Sequence, residues 1–135
     1  MATIKSHTDI EQSKKLAEIL PIESADMYYH YTTGVKSYHE DVPNYVQVFN
    51  HFVFFHYDIP CWSLASLLSI LPNNEHITTS VSRGRWQIEP INYLPNTWWC
   101  EYEDNESLTD FNVSAENPVD ACVEMILKLH ERKML

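Results

Sequence analysis

Seven histidines, three cysteines and a dense run of carboxylates are the side chains of this chain best suited to chemistry. The histidines, His7, His30, His39, His51, His56, His76 and His130, invite a metal site. His51 and His56 are five residues apart and on one strand would face opposite ways. No histidine pair has the i,i+4 helical spacing, and none stands two residues from another on a strand, so only convergence from distant segments would build a metal site. Cys61, Cys100 and Cys122 are odd in number and far apart, with no CxxC, which is neither a disulfide framework nor a zinc-finger pattern. Cys122 and His130 share one arc of a helix, but eight residues at a rise of 1.5 Å separate them by about 12 Å, too far for a nucleophile and its base. Cys61 falls at the start of a predicted helix, where the dipole would favour its thiolate. Against that, a cysteine beside Trp62 in an uncharged segment reads as a small core residue. Ser63, Ser66 and Ser69 recur every third residue, and no Gly-x-Ser-x-Gly elbow surrounds any of them.

The acids Glu101, Glu103, Asp104, Glu106 and Asp110 lack the alternating spacing and central glycine of a calcium loop and read as a solvated turn. Gly34 and Gly84 are the only glycines, which removes every glycine-rich phosphate loop and with it the kinase, nucleotide-hydrolase and dinucleotide classes. No catalytic, cofactor-binding or metal-ligating residue is assigned, and no cofactor is expected.

Charge narrows the choice of partner. The formal charge is -10, unevenly placed: residues 21–60 carry -4 and residues 97–116 carry -6 with no basic residue, while the other segments balance. A nucleic-acid binder needs clustered Lys or Arg to displace counterions, and the one basic cluster, Arg83-Gly84-Arg85, reads as a turn. The expectation on this ground is that the chain does not bind nucleic acid directly. No apolar run approaches the roughly 20 residues needed to span a bilayer, and Met1 to Asp9 is polar rather than signal-like. The expectation is a cytoplasmic protein away from membranes, in which the Asn-x-Ser sequences at Asn105 and Asn112 stay unglycosylated.

The elements that would position these side chains follow from periodicity. Thr8-Asp9-Ile10-Glu11 reads as a capping box with Thr8 as cap, and an amphipathic helix runs to Leu20 before Pro21. A segment bounded by Pro60 and Pro72, with no charge between Asp58 and Glu75, predicts a second helix over 60–71, apolar nearly all round and the most buried of the three. Its serine row either permits close approach to a neighbouring backbone or marks its less buried edge. Asn117 and Pro118 open a third helix over 117–133, with Val119, Cys122, Val123, Ile126, Leu127, Leu129 and His130 on one arc and charges opposite. His130 is therefore expected to be partly buried against a carbonyl.

Aromatic and β-branched residues between Asp26 and Tyr57 predict strands near 27–32 and 35–39 turning at Thr33-Gly34, another after Pro43-Asn44, and a tight turn at Asn50-His51. Ile77–Ser82 and Arg85–Tyr93 read as a hairpin turning at Arg83-Gly84. Further strands are predicted at Trp98–Tyr102 and Phe111–Val113, with a turn at 104–106. The fold class is α+β: an antiparallel sheet built from hairpins, with three helices (about 8–20, 60–71 and 117–133) packed against it, in a single domain over 1–135.

Three blocks carry a resemblance: Glu11 to Pro21 with Ser24-Ala25-Asp26-Met27, Ile59 to Ala65, and Asn117 to Val123. Together they resemble a family of small, uncharacterised proteins of gut anaerobic bacteria and of their phages and other mobile elements. The resemblance covers the helices and the entry to the first strand, leaves 30–57 and 73–116 unmatched, and implies a shared fold and a cytoplasmic or phage-associated setting. It transfers no site residue.

The function expected is non-enzymatic binding, with protein as partner, either a second copy or a host protein. Seventeen aromatic residues in 135 exceed what one small core needs and suit an interface. Two alternatives stand beside it: an acidic nucleic-acid mimic that uses 101–116 to inhibit a host DNA-binding protein, and a hydrolase with a dispersed Cys/His site.

Overall fold

The computed structural model describes residues 5–31, 45–49, 58–83 and 97–135. In chain order these form α1 (Ile10–Ala17), a 3-10 turn (Ile22–Ser24), β1 (Met27–Tyr31), β2 (Tyr45–Phe49), β3 (Ile59–Cys61), α2 (Leu64–Ile70), β4 (Ile77–Arg83), β5 (Trp98–Asp104), β6 (Thr109–Ala115) and α3 (Pro118–Glu131). The fold is α+β, and the strands pair antiparallel in two three-stranded sheets, ordered β2-β1-β3 and β4-β5-β6. The expected strands 35–39 and 85–93, the turns at Thr33-Gly34, Asn50-His51 and Arg83-Gly84, and His39, His51 and His56 lie outside the described residues.

α3 is the element around which β4, β5, β6, α1 and α2 pack. Asn117 accepts from the Asp120 amide as N-cap, Pro118 occupies the first turn, and Asp120 early with Lys128 late complement the dipole. Val119, Cys122, Val123, Met125, Ile126 and Leu129 are fully buried. At about 1.5–3 kcal/mol for each large apolar side chain, this face outweighs any intrinsic propensity of the segment. It lies on the β4-β5-β6 sheet and, on its other flank, against α1 and α2. The strand register gives the sheet a covered face, where Trp98, Cys100 and Tyr102 of β5 pair with Ala115, Val113 and Phe111 of β6.

Four expectations change. α1 is capped by Asp9, whose side chain accepts from the Gln12 amide while the Gln12 side chain accepts from Asp9 N–H, and it ends at Ala17. Thr8 is not the cap because its hydroxyl is buried and bonded elsewhere. α2 begins at Leu64, not residue 60: Pro60 biases Ile59 towards extended backbone, and residues 59–61 pair with β1. α2 is also not the most buried helix, since Ala65, Leu68 and Ser69 are exposed. His130 is exposed rather than half-buried. The covered arc of α3 takes in Ala121 and Met125, both fully buried, and leaves His130 on its exposed side.

Candidate functional site

Four groups of chemistry-bearing side chains come together, and they meet quite different fates. The first surrounds Thr8. An isolated bridge pairs His7 with Ser63, with Thr8 N donating to Trp62 O at 2.9 Å and Leu64 N donating to Ser6 O at 3.2 Å. This places the fully buried Thr8 beside β3. Trp62 N donates to Thr8 Oγ1 (3.1 Å), Ser13 Oγ lies 2.7 Å from it, and Thr8 Oγ1 donates to Cys61 Sγ (3.6 Å). Cys61 Sγ donates in turn to Thr8 O (3.4 Å), which also receives the Tyr29 hydroxyl at 2.7 Å. With Ser13 as donor to Thr8, one arrangement of hydrogens satisfies every group. Burial pushes the Cys61 thiol up from its ordinary pKa, and burial followed by the nearby Cys61 charge does the same for the Tyr29 phenol. No helix dipole acts on Cys61, which ends β3 and is fully buried, as the reading of it as a small core residue expects. His7 meets Tyr29 edge-on at 6.0 Å, with Nδ1 at 3.0 Å from Ser6 Oγ. The node is a fastener with no activated nucleophile.

The serine row is absorbed the same way. Ser63 N donates to Asp26 Oδ1 at 2.9 Å, Ser63 Oγ donates to Asp26 Oδ2, and Ser63 Oγ then accepts from Ser66 N at 3.2 Å as the cap of α2. Ser66 Oγ donates to Ser24 O at 2.6 Å, the close backbone approach that the row allowed, and Trp62 Nε1 donates to Ser24 Oγ at 3.0 Å. Ser63 and Asp26 thus lie in contact, but both are engaged in anchoring α2. No sequence signal marks Tyr29 or Asp26, because their partners are more than 20 residues away.

A second network joins the first and last helices. Lys5 Nζ donates to Asp9 Oδ2 (2.9 Å), Gln12 Oε1 (2.7 Å) and Asp120 Oδ1 (2.8 Å), and Gln12 Nε2 also donates to Asp120 Oδ1 (2.7 Å). Burial alone would raise both carboxyls. The Gln12 amide and Lys5 outweigh it at Asp9, and Lys5, Gln12 and Asn117 outweigh it at Asp120, so both sit below the ordinary carboxyl value. Burial would lower Lys5, but its bonds to Asp120 and Asp9 prevail and hold it above its ordinary value.

The third group is the acidic run, which the hairpin divides. Asp104 accepts from Glu106 N (2.9 Å) and Ser107 N (3.2 Å), and the Ser107 side chain and amide hold its carboxyl below the usual range. Glu106 lies 3.9 Å from exposed His76. Glu101, Glu103 and Asp110 fall on the outer face of the β4-β5-β6 sheet, the one turned from α3. There the register sets three rows: Thr78-Glu103-Asp110, Ser80-Glu101-Asn112 and Ser82-Trp99-Ser114. No Lys or Arg stands among these nine residues, and among the described residues no hydrogen bond or ion pair engages the three carboxylates. On the covered face the charge is reversed: Lys128 and Arg132 lie over the Phe111 ring, 5.1 and 4.3 Å from its centroid, and Phe111 stacks on Tyr102 at 5.0 Å.

The fourth is a thiol pair. Cys100 at the centre of β5 and Cys122 on α3 are fully buried and free, and each shifts the other's thiol, Cys100 up and Cys122 down from the ordinary value. Cys61 lies apart from them, and Cys122 and His130 do not come together. No three histidine, cysteine or carboxylate side chains gather as a metal site among the described residues, and no helix there is long and apolar enough to cross a membrane. No family model matches the chain, and no curated protein or solved structure matches it.

Proposed function

We propose that this chain is a non-enzymatic, intracellular interaction protein that binds a basic protein surface through the outer face of the β4-β5-β6 sheet. The observation that carries this reading is the direct cross-strand pairing of Glu103 with Asp110, with Glu101 on the same face and no basic residue beside them among the described residues. Like charges placed opposite each other destabilise a sheet, and departures of this kind from a self-consistent design concentrate where a protein works. The half-buried Trp99 adds aromatic surface to the same face. The polar groups elsewhere support the reading by contrast, because around Thr8, Asp26 and Lys5 they bond to one another.

A fluorescent oligoarginine peptide serves as a defined stand-in for a basic surface. The variant Glu101→Gln/Glu103→Gln/Asp110→Asn should bind it about tenfold more weakly than wild type, a change of about 1.4 kcal/mol. The control Glu11→Gln/Glu18→Gln/Glu131→Gln removes the same charge from exposed helical positions and should lose little. Equal losses in the two variants would show that net charge, not this face, does the binding.

A narrower form of the same proposal makes the partner a host DNA-binding protein, with the carboxylates standing in for phosphates, as a mobile-element setting would suit. The support is the regular row on β5, where Glu101 and Glu103 share one face about 6.6 Å apart. Duplex DNA should then displace the chain from such a partner.

A further inference from the structure

The two sides of the β4-β5-β6 sheet carry opposite charges, and neither set finds a counterion among the described residues. Glu101, Glu103 and Asp110 stand on the outer face. On the α3 side Lys128 and Arg132 gather over one aromatic ring, 5.1 and 4.3 Å from the Phe111 centroid. We propose, on the reading of the outer face as a site for a basic surface, that the partner is a second copy of this chain, whose Lys128 and Arg132 dock on Glu101, Glu103 and Asp110.

Within one molecule the sheet itself keeps the two sets apart. Asp110 and Phe111 are neighbours on β6, so their side chains leave opposite faces. The cations follow Phe111 and the carboxylates follow Asp110, and only another molecule can bring them together. The helix dipole favours cations in the last turn of α3, but it does not fix where their heads lie. Phe111 does that, because the ring quadrupole holds both cations at its face. A guanidinium stacked in this way keeps the N–H donors of its edge for a carboxylate. The spacing also matches. Lys128 and Arg132 are four residues apart, about 6 Å along the helix at 1.5 Å per residue, and Glu101 and Glu103 are about 6.6 Å apart along β5. Two cations therefore meet two carboxylates one for one.

The two patches differ, so the contact is heterologous and the copies associate head to tail, each offering an acidic face to one neighbour and a basic helix end to the other. A formal charge of -10 on every chain makes copies repel at a distance. Only a contact that sets opposite charges at close range holds them, which selects this docking over any that brings acidic surfaces together.

The test measures the mass of the full chain by light scattering over a concentration series. Wild type should rise from the 15.9 kDa of one chain to at least twice that. The acidic-face variant Glu101→Gln/Glu103→Gln/Asp110→Asn and the helix-end variant Lys128→Gln/Arg132→Gln should each stay at one chain's mass. Mixed in equal amounts they should form a one-to-one dimer and nothing larger, because the first keeps the basic end and the second keeps the acidic face. Lys14→Gln/Lys15→Gln removes the same charge from exposed positions of α1 and should associate as wild type does. The exchange Lys128→Arg/Arg132→Lys should also associate. Excess oligoarginine should return wild type to one chain. A wild type that keeps one chain's mass at every concentration overturns the proposal without recourse to any variant, as does an assembly that persists in excess oligoarginine or a mixture that fails to pair. A monomer that still binds oligoarginine through the acidic face removes the second copy alone, whereas equal oligoarginine binding by the acidic-face variant removes the reading of that face as well.

Discussion

Two pairs of carboxylates are treated in opposite ways. Asp9 and Asp120 come from α1 and α3, and Lys5 with Gln12 bridges them at 2.7–2.9 Å. Glu103 and Asp110 stand directly opposite on the outer sheet face with no cation beside them among the described residues. The first pair turns electrostatic cost into a fastening of the two ends of the described chain. The second leaves its cost uncompensated, at a surface where Thr or Lys would pair better. The same contrast separates the groups around Thr8, Asp26 and Lys5, which bond to one another, from the sheet face, whose carboxylates bond to no described residue. Substitutions in the first region should therefore cost stability. Substitutions in the second should cost binding and spare or improve stability.

The largest expected effect belongs to Thr8→Val. The side chain keeps its shape, but Trp62 N–H loses its acceptor, and Ser13 and Cys61 lose a partner in a fully buried place. Unsatisfied buried polar groups cost about 1–3 kcal/mol each, so a loss of about 2–4 kcal/mol is expected in denaturant unfolding. A loss below about 0.5 kcal/mol would mean that the node is not what holds residues 6–8 to β3. Cys61 should also resist alkylating reagents in the native state, because burial holds it as the thiol.

The ion network comes next, and pH separates it from packing. Asp9 and Asp120 have folded pKa values below the ordinary 3.8, so their contribution is fully present above that value and is lost as pH falls through the lower folded values. Lys5 has a folded value above 10.5, so its contribution is fully present below 10.5 and is lost as pH rises through the folded value. Asp120→Asn should cost about 1 kcal/mol at neutral pH, since half-exposed pairs are partly screened. It should also flatten the fall in stability below about pH 4. An unchanged acid limb in urea titrations would break the proposed link between the two helices.

How much of this was legible depends on whether the deciding partner was local. α3 could be read from Asn117, Pro118 and its spacing because capping and amphipathicity are written within one turn of the residues concerned. Thr8 and Asp9 form overlapping capping boxes, with Glu11 and Gln12 three residues on, and only the demand of Trp62 for the Thr8 hydroxyl decides between them. Cys61 was misplaced because a charge-free run between prolines fits a helix as well as a strand followed by a helix. The thiol pair had no sequence signal, since Cys100 and Cys122 stand on different elements, β5 and α3. The outer acidic face was visible as charge but not as a face, because dividing Asp104 and Glu106 from Glu101, Glu103 and Asp110 needs the strand parity and the turn.

That turn carries a smaller prediction. Leu108 is 86% exposed and has φ 58°, so it sits in the left-handed region with its apolar side chain in water. Left-handed backbone costs a non-glycine residue roughly 1–2 kcal/mol, and asparagine tolerates it better. Leu108→Asn should raise stability by about 0.5–1 kcal/mol in thermal or urea unfolding and leave oligoarginine binding unchanged. It lies on the hairpin beside the acidic face, so a change in binding would extend the interaction surface beyond the three rows.

The smallest effect separates the two kinds of carboxylate most sharply. Glu103→Thr removes one member of the Glu103–Asp110 repulsion and places a β-branched residue on an exposed strand position flanked by Thr78. Cross-strand pairs of this kind differ by about 0.2–1 kcal/mol, so the variant should be more stable than wild type by a few tenths of a kcal/mol at low salt. The gain should shrink as salt screens the repulsion. Its affinity for oligoarginine should fall in the same preparation. A protein made more stable and less able to bind by one change is what a surface kept for a partner predicts. If Glu103→Thr instead destabilises the sheet, the carboxylate belongs to the fold as Asp120 does, and the contrast between the two regions disappears.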